Sequence, residues 1–191
     1  MNNAHLHLDG VAPAFDLINS EYWYGLGPLE DRIRLASWRR GFLKRWGFAP
    51  LAAPTADEQL ELVRLRTLLR RLVEHAASGR APTAADIRDL NKVLAQPALR
   101  RVSRRRGNCE LELVPVADGW AWVIAETATS FAELLREEDW GRIRACANAD
   151  CRFAFYDVTK NGSRRWCAQT ICGNRAKGRR FRERKRASTT G

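Results

Sequence analysis

The sequence has no apolar run near the roughly 18 residues that a membrane-spanning helix needs, which argues against an integral membrane protein. Met1–Gly10 carries neither a basic start nor an apolar stretch, unlike a secretory signal. There is no nucleophile elbow, no P-loop and no Gly-rich dinucleotide fingerprint. Histidine is scarce, with three in all: His5, His7 and His75. His5 and His7 with Asp9 form too small a set for a convincing metal site, and His75 reads as a helix C-terminal dipole partner. Glu137-Glu138-Asp139 reads as a solvated acidic run. No catalytic residue emerges, and the expectation is a cytoplasmic protein that is not an enzyme, with an enzyme of unrecognised site as the second alternative. No internal repeat is present, and no Gly-, Ser- or Pro-rich linker divides the chain.

What the chain has in excess is positive charge. The net charge is +11 over 191 residues. Residues 140–191 hold 14 Lys and Arg against 3 Asp and Glu, which accounts for all of it, and residues 1–139 are balanced. The division is therefore a neutral body, 1–139, and a basic module, 140–191. Clustered positive charge of this kind points to a polyanion, nucleic acid ahead of a membrane surface. A solvated tail without a partner is the plain alternative.

Four of the five cysteines lie in the basic module. Cys146 and Cys151, then Cys167 and Cys172, form two C-x4-C pairs separated by fifteen residues. Two short-spaced pairs at such a distance suit one structural Zn2+, each turn bringing two sulfurs to a shared tetrahedron. Four thiolates leave no open position for water or substrate. A disulfide framework is the alternative, and it fits poorly with a chain lacking an export signal. Cys109 enters an alternating stretch and reads as a half-buried strand cysteine.

Hydrophobic periodicity predicts a mainly helical body. Short apolar Phe15–Ser20 and the longer Leu29–Trp46 both read as helix. Thr55 with Glu58 and Thr83 with Asp86 cap two further helices. The first carries the stripe Leu62, Leu65, Leu69, Leu72, Val73 and Ala76. The second places Ile87, Leu90, Val93 and Leu94 inward. Leu99–Val102, Cys109–Val116 and Trp120–Ala125 read as strands, with Asp118-Gly119 turning between the last two. Thr127–Trp140 returns to helix. In the basic module, Phe153, Phe155 and Val158 form a strand, Thr159–Ser163 a turn, and Arg164–Cys167 the returning segment. A helix opens at Cys172 and runs to about Arg186. The fold class is α+β: a mainly helical N-terminal domain with a small antiparallel sheet, then a treble-clef-like or ribbon-like zinc module.

The run Arg164-Arg165-Trp166-Cys167, followed by Cys172-Gly173-Asn174-Arg175-Ala176-Lys177, resembles the signature of the CGNR zinc finger family. Cys146, Cys151 and the Phe153-x-Phe155-x-Asp157 strand also match its pattern. In that family the finger follows an ABATE domain, a domain described as a stress-induced transcription regulator. Phe15–Ser20 resembles the LDLVNT-like opening of ABATE, departing at Phe15 and Ser20. Trp38 and the region from Leu65-Arg66 to Leu90-Asn91 are compatible with it. The resemblance implies a bacterial-type transcription regulator whose finger binds DNA.

The residues support a nucleic-acid partner independently. At 100° per residue, Arg175, Arg179, Arg182 and Arg186 share an arc of about 60° on the last helix, and Lys177, Arg180 and Arg184 occupy another side. Guanidinium forks suit both phosphate oxygens and guanine edges. Arg164, Arg165, Arg175 and Lys177 have a second reading, as neutralisers of the −2 charge on a four-thiolate zinc site. DNA is the expected partner, with RNA or a protein surface as the alternative. In the body, Asn19, Trp38 and Arg66 are candidates for lining a small-molecule effector site, and a homodimer is a further possibility of such regulators.

Overall fold

Pro13 occupies the first turn of helix α1 (Pro13–Ile18), where its missing N–H and fixed φ suit a helix start. In the computed structural model, residues 12–24, 27–95, 98–105, 108–116, 119–137 and 140–188 are described. Helix α1 is followed by strands β1 (Glu21–Tyr24) and β2 (Gly27–Asp31), then a 3-10 turn over Arg32–Arg34. Helices α2 (Ala36–Arg45), α3 (Ala56–Ala77) and α4 (Ala84–Leu94) come next. Strands β3 (Ala98–Arg105) and β4 (Asn108–Pro115) precede α5 (Trp120–Glu137). The C-terminal module holds a 3-10 turn at Trp140–Arg142, β5 (Ile143–Ala145), β6 (Ala154–Tyr156), a π turn at Gln169–Gly173 and α6 (Asn174–Ala187). Three antiparallel two-stranded pairs form: β1–β2, β3–β4 and β5–β6. The fold is thus the expected α+β arrangement of a mostly helical body and a small zinc module. Among the described residues no helix is long and apolar enough to cross a membrane.

Both capping boxes form. Thr55 and Glu58 exchange hydrogen bonds at the start of α3, and Thr83 and Asp86 do so at α4. The whole expected stripe of α3, from Leu62 to Ala76, is buried. Helix α1 packs against both α3 and α5, and α4 packs on α5. Phe15 sits at the centre, fully buried, edge-on to Phe131 of α5 at 6.4 Å between ring centroids. On α4, Leu90 is buried but Ile87 is exposed, so only part of the predicted face is inward.

Three expectations are corrected. Trp120–Ala125 is the first turn and a half of α5 and not a strand. A short apolar run fits a buried helix as well as a strand, and here Trp120, Val123, Ile124, Phe131 and Leu134 continue one 3.6-residue stripe into the core. The turn expected at Asp118-Gly119 is therefore a helix entry at Gly119, and Asp118 lies outside the described residues. Leu29–Asp31 belongs to β2, and the helix predicted from Leu29 starts at Ala36. In the zinc module, β6 pairs with β5 and not with the Arg164–Cys167 segment: Ile143 faces Tyr156, Arg144 faces Phe155 and Ala145 faces Ala154. Val158 lies beyond the strand and is exposed. The backbone of Cys109 lies in β4 opposite Arg104, while its side chain, like His5 and His7, lies outside the described residues.

Strand β6 is a shared wall. Its period of two sends Ala154 and Tyr156 into the core of the body, while Phe153 and Phe155 pack with the four cysteines. Ile143 of β5 is also fully buried in the body core.

Candidate metal centre and basic helix

Cys146 and Cys151 lie in the tight turn that joins β5 to β6. The Cys146 N–H donates to the Phe153 carbonyl at 2.8 Å, and the Cys151 N–H to the Asn148 carbonyl at 2.8 Å. The second pair comes from the segment entering α6, with Cys172 in the π turn. Ala147 N–H donates to the Arg165 carbonyl at 2.9 Å and ties the two halves together. The four sulfurs all lie within 4.8 Å of one another, and every one of these cysteines is buried.

The separations test the metal reading. Cys151 and Cys167 sulfurs are 3.5 Å apart, and those of Cys167 and Cys172 are 3.6 Å apart. A tetrahedron of sulfurs about 2.3 Å from Zn2+ has edges of about 3.8 Å, whereas a disulfide needs about 2.05 Å. The donor set, the spacing and the burial therefore fit one zinc ion and exclude bridged pairs. The Cys167 N–H and the Asn148 side-chain amide approach Cys146 Sγ and Cys172 Sγ at 3.5 and 3.7 Å, as donors to thiolates would. Without a cation the four thiols cannot ionise alike. Hydrogen bonds from Cys151 and Cys167 hold the Cys146 thiol far below its ordinary range, while the Cys146 sulfur pushes Cys151 and Cys167 far above theirs. A divalent cation resolves that conflict by accepting all four as thiolates. With four sulfurs bound, the site is closed, and its role is structural.

A second tier of contacts shapes this centre. Asp157 is fully buried; burial would raise its carboxyl, but hydrogen bonds from the Thr159 hydroxyl and N–H and from the Arg164 N–H outweigh it and hold it low. Arg142 donates to the Asp157 and Thr159 carbonyls at 2.9 and 2.8 Å. Arg144 donates to the carbonyl of Gly162, whose φ of 57° suits a residue without Cβ. Of these, only Asp157 stood out in the sequence, through the resemblance to the zinc finger family; the arginine clamps carry no local signal.

The nine basic residues singled out for nucleic acid separate into groups. Arg164 donates to the carbonyls of Trp166 and Cys167 and lies 4.3 Å over the Phe155 ring, so it braces the module. Arg165 lies 5.5 Å over Trp166, which itself packs on the cysteine cluster. Arg179 reaches back from α6 to Asn148 Oδ1 at 2.9 Å and Asp150 Oδ2 at 3.0 Å. Asn174 donates to the Thr170 carbonyl at 2.9 Å and so steadies the last ligand turn. Helix α6 has eight basic residues, one acidic residue and no buried residue. Arg175 and Arg186 are exposed on it. Lys177, Arg180, Arg182 and Arg184 are exposed and enter no ion pair among the described residues. Since Arg179 faces the ligand turn, Lys177, Arg180 and Arg184 lie about 100–160° away around the helix and face outward. Exposed Phe181 lies on that same outward side.

The comparisons agree with this geometry. A family model for ABATE, described as "Putative stress-induced transcription regulator", matches residues 11–138. The chain belongs to the ABATE family. A CGNR zinc finger model matches residues 142–185, the stretch that holds the four cysteines. No curated protein matches the chain.

In the ABATE domain, the three effector candidates do not converge. Asn19 is buried and bonded to Ala154. Arg66 is buried and gripped bidentately by Asp31 at 2.6 and 3.0 Å, with Ser20 Oγ at 3.1 Å. Burial would raise the Asp31 carboxyl, but the Arg66 hydrogen bonds and charge outweigh it and hold it low. Trp38 alone lines an open groove of about 410 Å³, with Phe42, Arg32, Arg45 and Asp16. Asp16, from the motif, already accepts bonds from Arg45 and Trp46 at 2.6 and 2.9 Å.

Proposed function

We propose that this protein is a zinc-dependent, DNA-binding transcription regulator whose helix α6 contacts the duplex. The observation that carries this reading is α6 itself: a 14-residue helix, basic on nearly every side, that starts two residues after the last metal ligand and has no buried residue. Such a helix loses more by charge repulsion than it gains by packing, and a polyanion reverses that balance. Its outward side offers Lys177, Arg180 and Arg184, with Arg182, Arg175 and Arg186 further round. Arg164 braces the Cys167 ligand segment, and Arg179 holds the helix on the ligand turn. In this reading residues 140–191 form the binding half and residues 1–139 the regulatory half, and no enzymatic chemistry is assigned to either.

The test uses the full, zinc-loaded chain. Affinity for a labelled duplex should exceed that for single-stranded RNA and fall steeply with salt, by about 0.9 in log K per log salt for each phosphate neutralised. Preference for single-stranded RNA at every salt concentration would replace DNA by RNA as the partner. Duplex binding with no salt dependence would remove the role of α6.

A further inference from the structure

We infer that the Phe15–Ser20 segment is the docking site for the zinc module, and that Asn19 is the positioning residue through which the body core registers whether the metal centre is assembled. The inference rests on one edge of β6. The other edge is taken by β5: the Phe153 carbonyl accepts from Cys146 N–H, and the Asp157 N–H donates to the Arg142 carbonyl. The two polar groups of Ala154 turn the opposite way and meet a single side chain. Asn19 Nδ2 donates to the Ala154 carbonyl at 2.9 Å, and the Ala154 N–H donates to Asn19 Oδ1 at 2.8 Å. The carboxamide thus does what a third strand would do, from the end of α1, 135 residues away in sequence. All four groups are buried.

The surroundings reinforce the joint. Arg70 of α3 donates to the carbonyls of Ile18 and Arg152, joining the residue before Asn19 to the one just after Cys151. Arg152 pairs with Glu74 at 3.1 Å at the rim. Ile143, Ala154 and Tyr156 complete the body core. The module is therefore docked and not tethered.

The link to the metal follows from chain order. Strand β5 runs directly into Cys146, and β6 begins three residues after Cys151, so the strand pair is closed by a ligand turn. Where a metal site is not preformed in the unfolded chain, metal binding is folding free energy. An open ligand turn would release β6 and leave the Asn19 carboxamide buried without partners, which is unfavourable. The neighbouring Ser20, Arg66 and Asp31 chain then carries the change to α3 and β2.

The test is hydrogen exchange read by mass spectrometry on the full chain, with zinc bound and after chelation. In the wild type, chelation should accelerate exchange in residues 143–156 and also in residues 13–20, by about tenfold or more. In Asn19→Ala, with one zinc per chain confirmed, residues 13–20 should exchange fast already and respond little to chelation. Asn19→Asp, which keeps the acceptor and loses the donor, should fall between. If chelation leaves residues 13–20 of the wild type protected, or if Asn19→Ala responds like the wild type, the inference is wrong. Should Asn19→Ala not accumulate, Arg70→Met removes the second bridge: a weakened response at residues 13–20 supports the docking and an unchanged one overturns it. None of these readouts depends on whether α6 contacts nucleic acid.

Discussion

Replacing Arg180 and Arg184 together by Ala separates contact from scaffolding on α6. Both side chains are exposed and enter no ion pair among the described residues, so their loss should change stability by no more than about 0.5 kcal/mol. Their effect on binding should be large. If Lys177, Arg180, Arg182 and Arg184 each neutralise one phosphate, log K falls against log salt with a slope of about −3.6. Raising salt from about 50 to about 200 mM then weakens the wild type about 150-fold. With two contacts gone the slope is about −1.8, and the same change of salt costs about 12-fold. Arg179→Ala is the internal contrast. That side chain pairs with Asp150 while both are nearly half exposed, and such a pair contributes at most about 1 kcal/mol. Its removal should loosen α6 on the ligand turn and leave the salt slope near −3.6. Fluorescence anisotropy with a labelled duplex over a salt series measures both quantities, with zinc content determined for each sample. An unchanged slope in the double variant, or an equal fall in slope from Arg179→Ala, would refute this assignment of the outward face.

The body offers an acid-stability prediction at Asp86. The Thr83 hydroxyl, then its N–H and the Arg71 guanidinium, hold this buried carboxyl at about 2 against an ordinary 3.8. A depressed carboxyl stabilises the fold above its unfolded value and loses that contribution as pH falls, here between about pH 4 and pH 2. Asp86→Asn should therefore cost about 2 kcal/mol at pH 7, with the gap to the wild type closing towards pH 2 in denaturant titrations; a gap independent of pH would contradict it. At the metal centre, elemental analysis should find one zinc per chain, and Cys167→Ser should lose most of it because a closed four-thiolate site tolerates no missing sulfur; full retention would dismiss Cys167 as a ligand. In the core, Phe15→Ala should lower stability by about 3–5 kcal/mol, since it empties a fully buried site beside Phe131. A loss under 1 kcal/mol in thermal or denaturant unfolding would show that the site collapses around the gap.

Much of the local structure was legible because its causes are local. The capping boxes at Thr55 and Thr83 act within four residues, and the Leu62–Ala76 stripe is one helix reporting its own buried face. Trp120–Ala125 was misread for the opposite reason: six apolar residues satisfy a strand and a buried helix equally, and the core behind Phe131 decides between them. The β1–β2 pair carries no local signal, because Gly and Pro disfavour strands, and only the pairing of Gly27 with Tyr24 and of Pro28 with Trp23 makes them one.

Ligand chemistry and charge were written in the chain itself. The two C-x4-C pairs determined the metal, because thiol spacing is a property of short turns, and residues 140–191 carried the whole net charge. Tertiary structure alone decided which arginines are free to meet a partner. Arg179 and Arg164 are equivalent to their neighbours in sequence, yet they are turned inward by Asn148, Asp150 and the Cys167 carbonyl. It also decided that the module is docked. The Asn19–Ala154 pair joins two segments that share no local pattern, and such a pair exists only once helix α1 and strand β6 are packed side by side.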